Sequence, residues 1–257
     1  MEKETRRGYV PEDEREFYQD ASISLLKRAQ EEVFWLLERG YPIKPASVFV
    51  GNHHLLSERQ RLALVRATSP SVSVERRAKK LVDRDEMLDG RTVRIDGFNL
   101  IITLETALSD STLIRCMDGT VRDLAGLRGT YRLIDKTDEA IRLVGRQLEK
   151  RNAGRAVFYL DAPVSNSGRL RARILELLEE RSFATEVKLV PNADVILEKE
   201  ELVATSDAII LNHCKSWINL ASDVLEDQGR MQSHLIDLSG AAPGDGCRKI
   251  EGALLRS

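Results

Sequence analysis

Apolar residues recur at about four-residue intervals from Phe17 through Ala21, Leu25, Ala29, Val33 and Leu37. That spacing marks one face of a helix and predicts a helix over residues 13–39. Gly40 supplies a stop, and Tyr41-Pro42 resists continuation. Pro45-Ala46-Ser47 restarts a short element carrying Val48, Phe49 and Val50, which Gly51-Asn52 breaks. Ser57 with Gln60 has the form of a capping box opening a helix through Arg66. Turn-forming residues 67–71 and the basic stretch Arg76-Arg77-Ala78-Lys79-Lys80 then lead to Asp89-Gly90. A mostly helical N-terminal module over residues 1–85 is expected, with the boundary inside 69–92.

From Thr92 the pattern alternates. Strands are expected at 92–103, 155–161, 186–191, 202–211 and 234–238. Helices are expected at about 104–110, 137–152, 167–182, 193–200 and 215–227, with an irregular glycine-bearing segment from Asp118 to Gly129. Strands separated by helices of this length predict an α/β domain over residues 90–238: a Rossmann-like, mainly parallel sheet with helices on both faces. The glycine- and proline-bearing residues 239–257 are expected to be poorly ordered.

Composition narrows the function classes. The chain of 257 residues carries 39 basic and 41 acidic side chains, and the first 90 residues hold 16 of each. Neither part is polarised, so any nucleic-acid binding must come from local patches. Cys116, Cys214 and Cys247 are far apart, which disfavours disulfides and a cysteine zinc site. A polar N-terminus and the absence of a long apolar run exclude a signal peptide and a membrane span, leaving a cytoplasmic protein as the expectation.

Candidate chemistry follows from where the acids fall. Val93-Arg94-Ile95-Asp96 and Ala156-Val157-Phe158-Tyr159-Leu160-Asp161 end on aspartate, as does Val203-Ala204-Thr205-Ser206-Asp207, while Asp194 opens Val195-Ile196-Leu197. Open α/β sheets bind ligands beyond the carboxyl ends of their strands. Acids gathered there would repel one another and retain protons unless a divalent cation joined them. Magnesium or manganese and phosphodiester hydrolysis are therefore expected, with Asp96, Asp161 and Asp207 as metal ligands and Asp194 as a fourth catalytic acid. Asn99 follows Asp96-Gly97 closely enough to contact a ligand or orient Asp96. Ser165, Asn166 and Arg169 border a helix start suited to phosphate, Thr205 and Ser206 adjoin Asp207, and Asp118 leads a charged loop with Arg122 and Asp123. Taken singly, each of these residues has an ordinary alternative as a turn, a cap or a surface charge. No phosphate-binding glycine loop, dinucleotide fingerprint or nucleophile elbow is present. Adjacent His53 and His54 do not form a metal pair on a regular element.

Ile95-Asp96-Gly97-Phe98-Asn99, Asp161 after its strand, and Ala204-Thr205-Ser206-Asp207 together resemble the PIN-like nuclease superfamily over residues 90–238. The resemblance implies a Rossmann-like sheet assembling acids around magnesium or manganese for RNA cleavage. Asp96 matches the first-strand acid and Asp207 the Thr/Ser-x-Asp acid, while Asp161 and Asp194 stand as central acids. The chain departs from that pattern in having no evident acid on a mid-domain helix, and in the polar loop from Pro163 to Arg169. The arrangement also resembles an uncharacterised prokaryotic family in which a helical module precedes such a domain. A metal-dependent endoribonuclease is the leading expectation, with RNA as partner and homodimerisation as a possibility. The alternative is a non-catalytic scaffold of the same fold that binds nucleic acid or protein. The basic residues from Arg59 to Arg84 read either as a phosphate grip or as a solvated helix face.

Overall fold

A full capping box opens the helix Glu58–Ala67, with the Ser57 hydroxyl accepting from the Gln60 N–H and the Gln60 side chain accepting from the Ser57 N–H. The computed structural model describes residues 5–126, 129–229 and 234–240. Its N-terminal helices are α1 (Asp13–Phe17), α2 (Asp20–Glu38), α3 (Ile43–His53), α4 (Glu58–Ala67) and α5 (Ser71–Ala78). The single helix expected over 13–39 is thus two, broken at Tyr18-Gln19. The break resets the inward face, so Leu26 rather than Leu25 is buried, together with Ala29, Gln30, Val33, Phe34 and Leu37. Residues 45–50 belong to the full helix α3, because Gly51 lies inside it against the Arg61 side chain instead of ending it.

The second part supplies β1 (Thr92–Asp96), α6 (Gly97–Leu108), β2 (Leu113–Arg115), β3 (Val121–Asp123), α7 (Thr137–Lys150), β4 (Arg155–Asp161), α8 (Ser167–Leu178) and β5 (Ala184–Val190). It continues with α9 (Ala193–Leu197), β6 (Val203–Ala204), α10 (Ala208–His213), β7 (Trp217–Ile218), α11 (Leu220–Asp227) and β8 (Leu235–Asp237). Five strands form one sheet in the order β5-β4-β1-β6-β7, every pair parallel. The fold is therefore α/β with a Rossmann-like parallel sheet, preceded by a helical region.

Alternate residues of β4 build the two cores that cover this sheet. Ala156, Phe158 and Leu160 join Val93 and Ile95 against α6, α7, α8 and α11. Val157 and Tyr159 point the other way, to Ala193, Leu197, Ile210 and Leu211 of α9 and α10. Burial on both faces is what makes parallel strands read as unbroken apolar runs.

Several expected boundaries move for one reason. The strand expected over 92–103 ends at Asp96 and becomes α6, which is buried on nearly all sides. A helix with no polar face has no 3.6-residue signature to separate it from a buried strand. Likewise 202–211 holds only the two-residue β6 before α10, and 215–227 holds β7 before α11. The segment from Asp118 contains β3, paired antiparallel with β2, and β8 adds in parallel to complete a small second sheet.

That small sheet joins the two parts. Ile114, Cys116, Leu124, Ile236 and Leu238 share a core with Phe17, Leu26, Val33 and Leu64 of the N-terminal helices. The Gln30 amide donates to the Leu238 carbonyl at 2.8 Å. Farther along, Leu81 bridges in parallel to Trp217, whose indole N–H donates to the Arg77 carbonyl. No helix among the described residues is long and apolar enough to cross a membrane. Of the tail expected over 239–257, residues 241–257 lie outside the described residues.

Candidate functional site

The chain lays down β1, steps outward through β4 to β5, then returns to the other side of β1 for β6 and β7. Strand order therefore reverses between β1 and β6, and ligands of open parallel sheets sit outside the carboxyl ends at such a point. Asp96 ends β1, and Thr205-Ser206-Asp207 follows β6 directly. Gly97 lets α6 start at once: a Cβ there would stand 2.6 Å from Leu160 Cδ2 and 3.1 Å from the Tyr159 carbonyl of β4.

Hydrogen bonds knit these ends together. The Thr205 hydroxyl donates to Asp96 Oδ2 at 2.8 Å and accepts from the Asp207 N–H at 3.0 Å, linking the two acids. Asn99, in the first turn of α6, accepts from the Ser206 hydroxyl at 2.7 Å and from its N–H at 3.2 Å. Asn99 thus orients the 205–207 loop, and among the described residues its amide nitrogen has no partner. Asp207 Oδ1 caps α10 by accepting from the N–H groups of Ile209 and Ile210. Asp161, at the end of β4, accepts from the Ala193 N–H at 2.8 Å, which holds the start of α9 and its Asp194 against the same edge.

Arg122, behind the 205–207 loop, is a cation that acts on Asp207, and the other acids lack one. Burial raises the Asp96 carboxyl, the Thr205 hydrogen bond opposes it and Asp207 and Asp194 add to it, leaving it at about 7. Asp194 is also raised, first by burial and then by Asp207 and Asp161. Among the described residues none of the four forms an ion pair. Asp194 is thus within electrostatic range of Asp96, Asp161 and Asp207, and Asp207 within range of Asp96. They do not form a finished cage: among the described residues no group of three or more His, Cys, Asp or Glu side chains is arranged to hold a metal ion. The donors present are carboxylate, hydroxyl and amide oxygens, the hard set that suits magnesium or manganese. Magnesium keeps several waters and needs only one or two direct carboxylates. On chemistry, the residues fit such an ion.

The remaining expected residues divide. Ser165 is exposed in the loop between β4 and α8, and Arg169 is exposed in the first turn of α8. Asn166 is left-handed at φ 64°, and its side chain donates to the Tyr131 carbonyl, so it shapes that loop. Asp118, expected among the substrate contacts, is placed otherwise. Its side chain is 1% exposed and paired at 2.6 Å with both Arg77 and Arg122, which hold it well below the usual carboxylate range despite burial.

Arg122, read from sequence as a loop charge, is the residue that sequence reasoning passed over. Buried on β3, it donates to the Ser206 carbonyl at 2.7 Å, to Asp118 and to the Arg66 carbonyl, and so fixes the acid loop from behind. No sequence signal separates it from the chain's other cations.

A five-stranded parallel sheet with an acidic, cation-poor crevice at its switch point defines an α/β protein with an oxyphilic candidate site. The chain belongs to the family described as "Domain of unknown function (DUF5616)", whose sequence profile matches residues 85–223. Residues 25–80 match a second profile, "Protein of unknown function (DUF434)", over most of the N-terminal helices. An uncharacterized protein of Methanocaldococcus jannaschii is 36% identical over 206 residues, covering 78% of this chain and 97% of the relative. No solved structure matches the chain.

Proposed function

We propose that this chain is a metal-dependent, PIN-like endoribonuclease working in the cytoplasm, with magnesium or manganese held by Asp96, Asp161 and Asp207 through one or two direct contacts and otherwise through the ion's waters. The observation that carries this reading is the gathering of four aspartates, without ion-pair partners, at the one point where strand order reverses. A divalent cation bound there neutralises phosphate charge and acidifies water. Asp96, whose proton is retained to near neutrality, gives up that proton when a positive charge arrives. Thr205 keeps Asp96 and Asp207 in register, and Asp194 is free to orient water or accept a proton. Asn99 offers its amide N–H group, and Arg169 with Ser165 offers exposed donors, to the substrate's phosphates.

The surroundings suit a polyanion. α5 is fastened to α10 by Arg77 Nε to Asn212 Oδ1 and Lys80 Nζ to the Asn212 carbonyl, both at 2.9 Å. Arg76 on α5 and Lys79 just past its end remain exposed, beside the helix that Asp207 caps. The phosphate grip expected of the whole basic stretch therefore narrows to these two, since Arg59, Arg66, Arg77 and Arg84 are in ion pairs while Arg61 donates to the Leu56 carbonyl and Lys80 to that of Asn212.

Cleavage of labelled RNA in manganese tests the proposal. Asp96→Asn and Asp207→Asn should each reduce the rate by at least about a hundredfold while circular dichroism stays native. Cleavage undiminished in both variants would remove the acids from the reaction.

A further inference from the structure

One edge of the five-stranded sheet is covered and the other is bare. Beyond β7 the Val82 N–H donates to the Trp217 carbonyl, and the Trp217 N–H donates to the Lys80 carbonyl. β5, at the opposite edge, is seven residues long and pairs only with β4. The Ala184 N–H donates to the Gly154 carbonyl and the Val190 carbonyl accepts from the Ala162 N–H, so the even-numbered residues of β5 face β4. Thr185, Val187 and Leu189 therefore send their backbone groups outward, where they have no partner among the described residues. An open edge of this length is a template for another strand.

The charges on β5 select that strand. Glu186 and Lys188 are exposed on the face opposite Val187, 3.5 Å apart. An antiparallel copy of β5, set with Val187 against Val187, places each Glu186 opposite Lys188 of the other copy. In that register Thr185, Val187 and Leu189 exchange both hydrogen bonds with their opposites. The charged pairs then fall at the close, non-hydrogen-bonded positions. Leu189, 37% exposed on the other face, gains cover from Thr185 of the second copy. Registers centred on Glu186 or Lys188 would instead set like charges face to face.

α8 repeats the complementarity. Leu170, Ile174 and Leu178 face the sheet, and Arg173 pairs with Asp138 of α7 on one flank. Arg171, Leu175 and Glu179, at four-residue intervals, lie on the opposite flank, toward the bare edge. Arg171 and Glu179 are exposed, and neither has a partner among the described residues. Antiparallel pairing of β5 runs two copies of α8 past each other in opposite directions. The arginine-bearing start of each then lies toward the glutamate-bearing end of the other.

We infer that β5 is the interface of a symmetric homodimer, two copies joining their sheets into one through this edge. The same strand serves both copies, so the assembly closes at two. The interface does not depend on the nuclease reading, since none of its residues belongs to the acid cluster.

Sedimentation velocity on the full chain, from low to high micromolar concentration, tests it. A monomer–dimer equilibrium is expected. Lys188→Glu should weaken association by at least about tenfold, because like charges then oppose each other twice across the axis. The double exchange Glu186→Lys with Lys188→Glu recreates opposite pairs and should restore the parent's affinity, with circular dichroism native in all three chains. A parent that stays monomeric would overturn the inference. So would a dimer as tight in Lys188→Glu as in the parent, or a double exchange as weak as the single one.

Discussion

Asp96 carries more of the account than any other residue. Its raised pKa has a thermodynamic consequence that needs no substrate. In the folded chain it titrates near 7, against about 3.9 when unfolded. Between those values the folded state binds the extra proton, so this group's stabilising contribution is full below pH ~4 and is lost as pH rises through about 7. Each unit of the difference is worth ~1.4 kcal/mol. Metal-free Asp96→Asn should therefore melt above the parent at pH 8, and the gap should close toward pH 4. Thermal melts in a chelator across that range check it; a variant melting lower at pH 8 would contradict the charge state assigned here. Asp96, Asp161 and Asp207 were legible in the sequence because each follows a short apolar run. Asp118 and Arg122 were not, because an acid and a base in a loop look alike whether they meet each other or meet solvent. Only the fold shows that Arg122 turns inward to the Ser206 carbonyl.

At the scale of elements, Gly97 sets the geometry of the crevice. A methyl group there would press on Leu160 and on the Tyr159 carbonyl, forcing α6 away from β4. Gly97→Ala should cost about 1–3 kcal/mol, the range for overpacking a tight interior, and should weaken manganese binding because Asp96 directly precedes the displaced turn. Denaturant midpoints and metal titration read the two effects, and an unchanged midpoint would show that the contact relaxes freely. The long helices and β4 were readable from periodicity and from the apolar run that Asp161 closes. The shortest elements were not. β6 and β7 are two residues each, too short to carry an alternation, and α6 lacks the polar face that marks a helix. The strand-end position of Asp96 survives that misreading, since Gly97 ends the strand where the expected one would have run on.

At the scale of the whole molecule, the N-terminal helices and the α/β part are not separate beads. Their shared core runs through the small sheet, and two buried networks cross between them. Glu105, fully buried, accepts from the Tyr131 hydroxyl at 2.6 Å, from Thr137, and from Arg7 at 2.8 Å. Arg122 joins the end of α4, through the Arg66 carbonyl, to the loop bearing Asp207. Arg122→Ala leaves Asp118 with one buried cation of two and orphans two carbonyls. It should destabilise the chain by about 3–5 kcal/mol, as breaking a buried ion pair does. Urea unfolding reads this, and a loss under ~1 kcal/mol would mean the network is dispensable. The sequence expectation of two parts did not include their union. Residues 113–124 and 235–238 are distant in the chain from the helices they cover, and no local pattern encodes that packing.

The central claim is that these aspartates gather to receive a divalent cation, and a manganese titration of the melting temperature tests it most directly. Binding to the folded state alone stabilises by RT ln(1 + [L]/Kd), about 2.7 kcal/mol at a hundredfold excess over Kd. The melting temperature should rise with manganese and saturate in the parent chain, and should stay flat in Asp96→Asn and Asp207→Asn. No rise in the parent, or an equal rise in both variants, would contradict the account.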